Sequence, residues 1–191
     1  MFIVLEGHDG SGKSTLCPIL AKKLNAIAYA TPQKKFTEAR YRVDRNASPE
    51  EHYAFYRNAI YEASAEIKAI LERGENIVSD RYWLTTYIYH AVKGVAVRVD
   101  DFKGIILPDL TILLSVSSSS IQKSRVLAHG MSIEDQKMSE KQQTLAVAYY
   151  ETVLKLEIPF LAIDTEMYSA DECATVVETA AKVLAAKQSG N

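Results

Sequence analysis

A glycine-rich segment near the amino terminus carries the residue types that bind phosphate. Gly7 and Gly12-Lys13-Ser14 have the spacing G-x-x-x-x-G-K-S, directly after an apolar run over residues 2–5. Glycines adopt positive φ and let main-chain N–H groups approach phosphate oxygens, and a helix starting near Lys13 adds its positive dipole end. Lys13 supplies charge for outer phosphates, and the Ser14 hydroxyl can bind Mg²⁺. These features predict a phosphate-binding loop (P-loop). Its predicted nucleotide contacts are Gly7, His8, Gly10, Ser11, Gly12, Lys13, Ser14 and Thr15.

A second charged pair follows a later apolar run. Asp80 and Arg81 come directly after residues 76–79, which predict a buried strand. Ligands of open α/β sheets bind at the carboxyl ends of strands, so this pair is expected to face the P-loop and its Asp9. The set suits a small phosphoryl transferase that encloses two nucleotides and keeps water out. The chain has no Asn-Lys-x-Asp segment of the kind that a GTPase uses to select its base.

The hydrophobic pattern predicts the elements that position these residues. Five short apolar runs alternate with helical patterns, which predicts an α/β fold: a five-stranded parallel sheet with helices on both faces. The predicted strands are 2–5, 26–30, 76–79, 110–115 and 160–163. The predicted helices are 13–24, 48–74, 83–92, 121–127, 139–157 and one from Ser169 onward. Capping boxes at Ser48 and Ser169 mark two helix starts.

Two segments have no clear period. Residues 33–47 are polar and basic, and no helix is predicted there. Their cations are either a solvated surface or part of an anion-binding rim. Residues 126–140 are mixed and polar over most of their length, as a mobile lid would be. The cations of the first segment are Lys34, Lys35, Arg40, Arg42 and Arg45.

Composition limits the classes of partner. The 191 residues are 48% hydrophobic with a formal net charge of -2. We therefore expect one domain over residues 1–191 and no nucleic acid polymer or membrane as partner. No apolar run approaches the roughly 18 residues of a membrane span. Cys17 and Cys173 lie in apolar helical patterns typical of free thiols in a reducing compartment, so the expected localisation is cytoplasmic.

Four motifs occur in an order and at intervals that resemble the thymidylate kinase family of P-loop nucleoside monophosphate kinases. They are Asp-Gly-Ser-Gly-Lys-Ser-Thr at 9–15, Ser-Asp-Arg-Tyr at 79–82, Trp-Leu-Thr-Thr-Tyr-Ile-Tyr-His at 83–90 and Pro-Asp-Leu-Thr at 108–111. The match extends along nearly the whole chain, to Ala-Ile-Asp at 162–164. The resemblance implies transfer of the γ-phosphoryl of ATP to dTMP or a related pyrimidine deoxynucleoside monophosphate, with Mg²⁺. It also implies a possible homodimer.

The resemblance assigns roles to the charged residues. Lys13 resembles the lysine that grips the ATP phosphates, and Ser14 resembles the magnesium ligand. Arg81 resembles the arginine that clamps the acceptor phosphate, beside Asp80, which would organise Arg81 and a magnesium-bound water. Asp9 looks like the loop carboxylate near the acceptor's sugar and phosphate.

Further assignments concern the sugar, the adenine and the lid. Tyr89 is similar in position to a tyrosine that lies against the deoxyribose and crowds out a 2′-hydroxyl. Arg125 resembles the arginine that lies against adenine. The family supplies an arginine from the P-loop or the lid, whereas residues 126–140 contain only Lys137 and His129 as cations. We therefore expect Lys137 to act in catalysis, or Lys34, Lys35 or Arg40 to help.

The part that reads the base departs from the family. Counting back from Asp80 places Tyr56 and Ile60 where family members present a phenylalanine and an arginine. Ile60 cannot hydrogen-bond a base, so the base of the acceptor stays open. The predicted acceptor-binding residues are Asp9, Tyr56, Arg57, Asp80, Arg81, Thr86, Tyr89 and His90.

Two alternatives remain open. A deoxynucleoside kinase of the same fold would need a carboxylate base for a sugar hydroxyl. Glu6 is a carboxylate that could serve as this base, so this alternative stays open. A nucleotide-binding regulatory module without turnover is the other alternative, because the lid segment contains no arginine.

Overall fold

The computed structural model describes residues 1–128 and 141–189 and contains one five-stranded sheet within these ranges. All strand pairs are parallel, and the order is β2-β3-β1-β4-β5. The sheet confirms the predicted fold class, because parallel strands need the intervening crossovers that the sequence pattern indicated. The strands are β1 Phe2–Glu6, β2 Ala26–Ala30, β3 Asn76–Asp80, β4 Leu110–Ser115 and β5 Phe160–Asp164.

The order of the strands reverses at β1. This strand pairs with β3 on one side, where Leu5 is opposite Asp80, and with β4 on the other, where Leu5 is opposite Ile112. All five residues of β1 are buried, as expected for a central strand that is covered on both faces. A crevice forms at the carboxyl end of such a strand.

Helices cover both faces of the sheet. Phe2 and Val4 point to a core built with α3, α4 and α6, whereas Ile3 and Leu5 point to a core built with α1 and α7. This alternation follows from the two-residue period of a strand. The helices described are α1 Lys13–Lys23, α2 Thr37–Asn46, α3 Pro49–Glu72, α4 Trp83–Val92, α5 Ser119–Ala128, α6 Gln142–Lys155 and α7 Ala170–Ser189, with 3₁₀ turns at Lys34–Phe36 and Val99–Phe102.

Both predicted capping boxes are formed. The Ser48 hydroxyl accepts a hydrogen bond from the N–H of Glu51 (3.3 Å), and the Glu51 carboxylate accepts one from the N–H of Ser48 (2.9 Å). Ser169 and Glu172 make the same pair of bonds, at 3.3 and 2.8 Å. Each box satisfies N–H groups that a helix start leaves unpaired.

The structure corrects the reading of residues 33–47, which form a 3₁₀ turn and α2. No residue of α2 is buried, so the segment lacks the apolar stripe by which a helix is recognised in a sequence. Of the predicted lid, only residues 126–128 are described, as the end of α5. Lys137 and His129 lie outside the described residues. Among the residues described, no helix is long and apolar enough to cross a membrane.

Candidate active site

The P-loop joins β1 to α1 through glycines in unusual backbone conformations. Gly7 has φ 143° and Gly12, which caps α1, has φ 86°. A Cβ atom at Gly7 would lie 2.2 Å from the carbonyl oxygen of Leu114. Only glycine fits this close approach of two main chains.

Lys13 is almost fully buried, and the loop itself holds its ammonium group. Nζ donates hydrogen bonds to the carbonyl oxygens of Gly7 (3.0 Å) and His8 (2.7 Å) and to the Ser11 hydroxyl (3.2 Å). Burial, together with the nearby charge of Arg81, lowers the pKa of Lys13 to about 8. Contacts within the loop therefore position the ammonium group.

The side chains of Ser14, in the first turn of α1, and Asp80, at the end of β3, are in contact. The Ser14 hydroxyl donates to Asp80 Oδ2 (2.6 Å), whereas Oδ1 of Asp80 is buried without a hydrogen-bond partner. A buried carboxylate oxygen without a partner is costly unless a donor or a cation completes it. Hard cations such as Mg²⁺ prefer oxygen ligands, so these two side chains fit Mg²⁺. In the described parts of the chain no group of three or more His, Cys, Asp or Glu residues could hold a metal ion.

Arg81 follows β3 in a left-handed conformation, with φ 68°. Its guanidinium is ion-paired with Asp9 and donates to the carbonyl of Gly7 (3.4 Å). The Tyr89 hydroxyl donates to the other oxygen of Asp9 (3.1 Å). Burial alone would raise the pKa of Asp9, but the charges of Arg81 and Lys13 lower it below its ordinary value. The loop carboxylate is therefore ionised and fixes the guanidinium.

Glu6, the last residue of β1, is 1% exposed. Its Oε1 accepts from the N–H of Tyr82 (3.0 Å), and its Oε2 accepts from the Thr85 hydroxyl. The Thr85 oxygen also accepts from Nη1 of Arg81 (3.3 Å). Burial raises the pKa of Glu6 to about 7, although the Thr85 hydrogen bond and the Arg81 charge oppose the change. Glu6 thus holds the start of α4 and, through Thr85, the guanidinium of Arg81.

Two cavities open at the carboxyl end of the sheet. One cavity, about 620 Å³, is lined by the P-loop, α5 and the residues after β5, and we call it the donor cavity because the residues predicted to bind ATP lie there. The other, about 420 Å³, is lined mainly by α2, α3 and α4, and we call it the acceptor cavity because the residues predicted to bind the acceptor lie there. Both volumes are typical of small-molecule sites. Four residues line both cavities: Asp9, Ser14, Arg40 and Arg81.

The donor cavity contains most of the predicted ATP-binding residues. Arg125 lies in its wall, where its guanidinium donates to the Thr165 hydroxyl (2.8 Å) and carbonyl (3.0 Å). Gly7, His8 and Ser11 do not line this cavity and instead support the loop. His8, for example, is buried and its Nδ1 donates to the main chain of Asp9 (2.9 Å). The predicted loop residues in the wall are Gly10, Gly12, Lys13, Ser14 and Thr15.

A chain of hydrogen bonds runs along the acceptor cavity through two histidines. His90 Nδ1 lies 2.6 Å from the carbonyl oxygen of Thr86, which can only accept, so Nδ1 carries a proton. Burial lowers the pKa of His90 to about 4, so the ring is neutral and its Nε2 accepts from His52 Nδ1 (2.8 Å). His52 Nε2 lies 3.2 Å from Asp44. His52 therefore lies between His90 and Asp44 and links them.

Most of the predicted acceptor-binding residues line the acceptor cavity. Tyr56 is among them, and its hydroxyl donates to Asp44 (2.8 Å). His90 also lies in the wall, but both of its nitrogens are engaged by the protein. Ile60 gives the wall an apolar patch. The predicted residues that the structure brings together here are Asp9, Tyr56, Asp80, Arg81, Thr86, Tyr89 and His90.

Arg57 is not brought to the acceptor cavity, which corrects its predicted assignment. Successive residues of an α-helix point about 100° apart, so Arg57 turns away when Tyr56 faces the cavity. Its guanidinium carbon lies 5.9 Å from the centre of the Tyr53 ring. The physical reason is therefore helix geometry.

Three residues of the site were missed or only touched on from the sequence. Asp44 and His52 received no binding role, and Arg40 was only one of several basic residues. A usable signal was present: Arg40 and Asp44 are four residues apart, the spacing of neighbours on a helix face, and their side chains lie 3.3 Å apart.

Comparison with known proteins places the chain in a family. The family model described as thymidylate kinase matches residues 5–171. A probable thymidylate kinase from Archaeoglobus fulgidus is 31% identical over 126 residues, which cover 61% of this chain and 64% of that protein. One from Pyrobaculum aerophilum is 30% identical over 138 residues, which cover 68% and 71%. The chain thus spans less than two thirds of the length of the first of these relatives.

Solved structures show the same fold. A thymidylate kinase from Candida albicans has a TM-score of 0.78 at 20% identity, covering 95% of this chain and 91% of that one. A deoxyadenosine kinase from M. mycoides, with bound dATP, has a TM-score of 0.67 at 22% identity, covering 95% and 100%. At these identities the likeness concerns the fold alone. Because the family model matches most of its length, the chain belongs to the thymidylate kinase family.

Proposed function

We propose that the protein transfers the γ-phosphoryl of ATP to dTMP or a related pyrimidine deoxynucleoside monophosphate. The observation that carries the proposal is the pair of cavities that meet at the P-loop, with Asp9, Ser14 and Arg81 in both walls. In the reaction the bond between the γ-phosphorus and the β,γ-bridging oxygen breaks, and ADP keeps the electron pair. An oxygen of the acceptor monophosphate forms the new bond. The products are ADP and a nucleoside diphosphate.

The charges of the site suit two anions in contact. Lys13 serves the donor phosphates at the loop, and Arg81 offers two N–H groups to the acceptor phosphate. Asp9 holds Arg81 in place by the ion pair described above. No residue is needed as a strong base, because the second pKa of a phosphate monoester is about 6 and the acceptor is already ionised at neutral pH.

Mg²⁺ is part of the proposal, with Ser14 and Asp80 as the side chains that would hold it. When bound, it would neutralise charge on the donor phosphates during transfer. The support is the Asp80 oxygen that is buried without a partner beside the Ser14 hydroxyl.

The acceptor is proposed to be a deoxynucleotide. Tyr89 is half-buried beside Asp9, where it would crowd a 2′-hydroxyl. The base would lie near Tyr56 and Ile60, against the chain of hydrogen bonds through His52 and His90. Since His90 has no free nitrogen, the base would be selected by shape more than by polar contacts. We therefore propose a broader choice of bases than a site with an arginine on α3 would allow.

The deoxynucleoside kinase alternative needs a free carboxylate near a sugar hydroxyl. Glu6 lines neither cavity, and both of its oxygens accept hydrogen bonds from Tyr82 and Thr85. This arrangement supports the monophosphate kinase over that alternative. The deoxyadenosine kinase similar to this chain supports the shared fold only.

The test is ADP release with ATP, Mg²⁺ and a panel of acceptors. We expect turnover with dTMP and with other pyrimidine deoxynucleoside monophosphates, and none with nucleosides. Turnover with nucleosides alone would support the deoxynucleoside kinase, and no ADP release with any acceptor would support a binding module. In the same assay, Arg81→Lys should raise the KM of the acceptor more than the KM of ATP, because lysine cannot bind two phosphate oxygens at once.

Several expectations stay predictions. These are the single kinase domain over residues 1–191, a lid at 126–140 with Lys137 as its catalytic cation, the homodimer and the cytoplasmic location. Size-exclusion chromatography with light scattering would test the homodimer, and Lys137→Ala would test the lid cation through the turnover number of the saturated enzyme.

A further inference from the structure

We propose that Arg40 is a catalytic residue whose guanidinium binds the phosphoryl group as it passes from the donor to the acceptor cavity. This inference rests on the proposed function. Its starting point is that Arg40 is one of only four residues, among those described, that line both cavities. The other three already have roles in the proposed reaction. Arg40 comes from α2, far from the P-loop in sequence.

The reaction calls for a cation at this junction. During transfer, negative charge spreads over the three oxygens of the moving phosphoryl group, and a positioned arginine can stabilise it strongly. The P-loop segment 7–15 contains no arginine, and neither do residues 126–140. A guanidinium for the transferred group therefore has to come from another part of the chain.

Three other cations near the cleft have partners or other proposed roles. Arg81 is paired with Asp9 and is proposed to bind the acceptor phosphate, and Arg125 donates to both the side chain and the carbonyl of Thr165. Lys35 forms ion pairs with Glu62 and Glu66, each at 2.8 Å, and lines neither cavity. Lys34 lines neither cavity either, so Arg40 is the one of the three predicted helper cations that reaches them.

Arg40 is anchored at one end and open at the other. Its Nε donates to the Tyr56 hydroxyl (3.0 Å) and to Asp44 (3.3 Å). Within residues 1–128 and 141–189, neither terminal nitrogen has a hydrogen-bond partner, and half of the side chain is exposed. Two terminal nitrogens in a rigid plane can bind two oxygens of a phosphoryl group at once.

The anchor links Arg40 to the acceptor. Tyr56 and Asp44 line the acceptor cavity, and the Tyr56 hydroxyl accepts the hydrogen bond from Nε of Arg40. A base that packs against the Tyr56 ring would therefore also fix the position of Arg40. Arg40 and Arg81 both line the two cavities, so their charges face one space. Two cations that face one space repel each other, and an anion between them removes that cost. Arg40 is therefore expected to act only when both substrates are bound.

The test compares Arg40→Ala and Arg40→Lys with Arg42→Ala as the matched control. Arg42 lies on the same helix, is 70% exposed at its side chain and pairs with Glu38 at 3.8 Å, outside both cavities. The assay is ADP release with ATP, Mg²⁺ and dTMP at saturation. Arg40→Ala should lower kcat roughly 10²-fold, with little change in either KM. Arg40→Lys should restore only part of the loss, and Arg42→Ala should equal the wild type.

A second measurement separates catalysis from folding. Added guanidinium ion, at a concentration too low to unfold the protein, should raise the turnover of Arg40→Ala several-fold and leave Arg42→Ala unchanged. If Arg40→Ala does not fold, the same kcat and KM comparison is made with Arg40→Lys, where kcat must fall with the KM values preserved. Wild-type kcat in the folded Arg40 variants would overturn the inference alone. An inactive wild type with every acceptor would overturn the proposed function and the inference with it.

Discussion

Glu6→Gln tests whether a buried carboxyl at the end of β1 changes the pH dependence of stability. The pKa of Glu6 is about 7 in the folded protein, against an ordinary value of 4.5. Between these pH values the folded protein keeps a proton that the unfolded chain releases. The wild type therefore loses stability as the pH rises through this interval. At about 1.4 kcal/mol per pH unit, the whole interval corresponds to about 3 kcal/mol.

The variant should lack this loss. We subtract the free energy of unfolding of the wild type from that of Glu6→Gln at each pH. This difference should be roughly 2 to 3 kcal/mol larger at pH 8 than at pH 5. Urea unfolding at the two pH values measures the difference. The fluorescence of Trp83, the one tryptophan of the chain, reports on the core because this side chain is 4% exposed. Circular dichroism gives an independent second probe of the same transition.

The matched control is Glu51→Gln, the same change at an exposed capping box. Hydrogen bonds from Ser48 lower the pKa of Glu51, so this carboxylate stays ionised in both states throughout pH 5 to 8. Glu51→Gln should lower stability equally at both pH values and leave the wild-type pH dependence intact. Parallel curves for wild type and Glu6→Gln would refute the raised pKa of Glu6.

Three further predictions concern the loop, a helix start and a thiol. Gly7→Ala should lower the free energy of unfolding by about 3 kcal/mol or more in urea, because the new Cβ would lie 2.2 Å from a carbonyl oxygen at φ 143°. Ser48→Ala should cost about 1 kcal/mol in the same assay, and no loss would mean the cap is not formed. Cys17 is 4% exposed with a pKa raised to about 11 by burial, so Ellman's reagent should modify it at pH 8 only after unfolding.

The sequence predicted the sheet well because its three central strands, β1, β3 and β4, are largely buried. The run over β1 is apolar at four successive positions, and the structure buries all of them. Helix starts were equally readable where a capping box supplied a local signal, as at Ser48 and Ser169. Both signals depend on residues that are neighbours in the sequence, so no tertiary information was needed.

Parts of the site that depend on tertiary contacts could not be predicted. α2 buries no residue, and polar contacts such as that of Arg40 with Tyr56, sixteen positions away, connect it to the rest of the protein. His52 and His90 are separated by 38 positions and meet only in the folded chain. Arg57 was assigned to the acceptor cavity because it follows Tyr56 in the sequence. In the helix the two side chains point in different directions, so closeness in sequence was misleading.

The hydrogen bonds of Lys13 have a consequence for how a triphosphate is received. Three acceptors of the loop satisfy the ammonium group, so contacts within the loop itself help to hold its shape. When the donor binds, the ammonium group of Lys13 exchanges acceptors of the loop for phosphate oxygens, and no flexible segment has to become ordered. An exchange of this kind avoids the entropic penalty of fixing a flexible segment. The loop can therefore bind phosphate with a favourable net free energy even when the phosphate adds few new contacts.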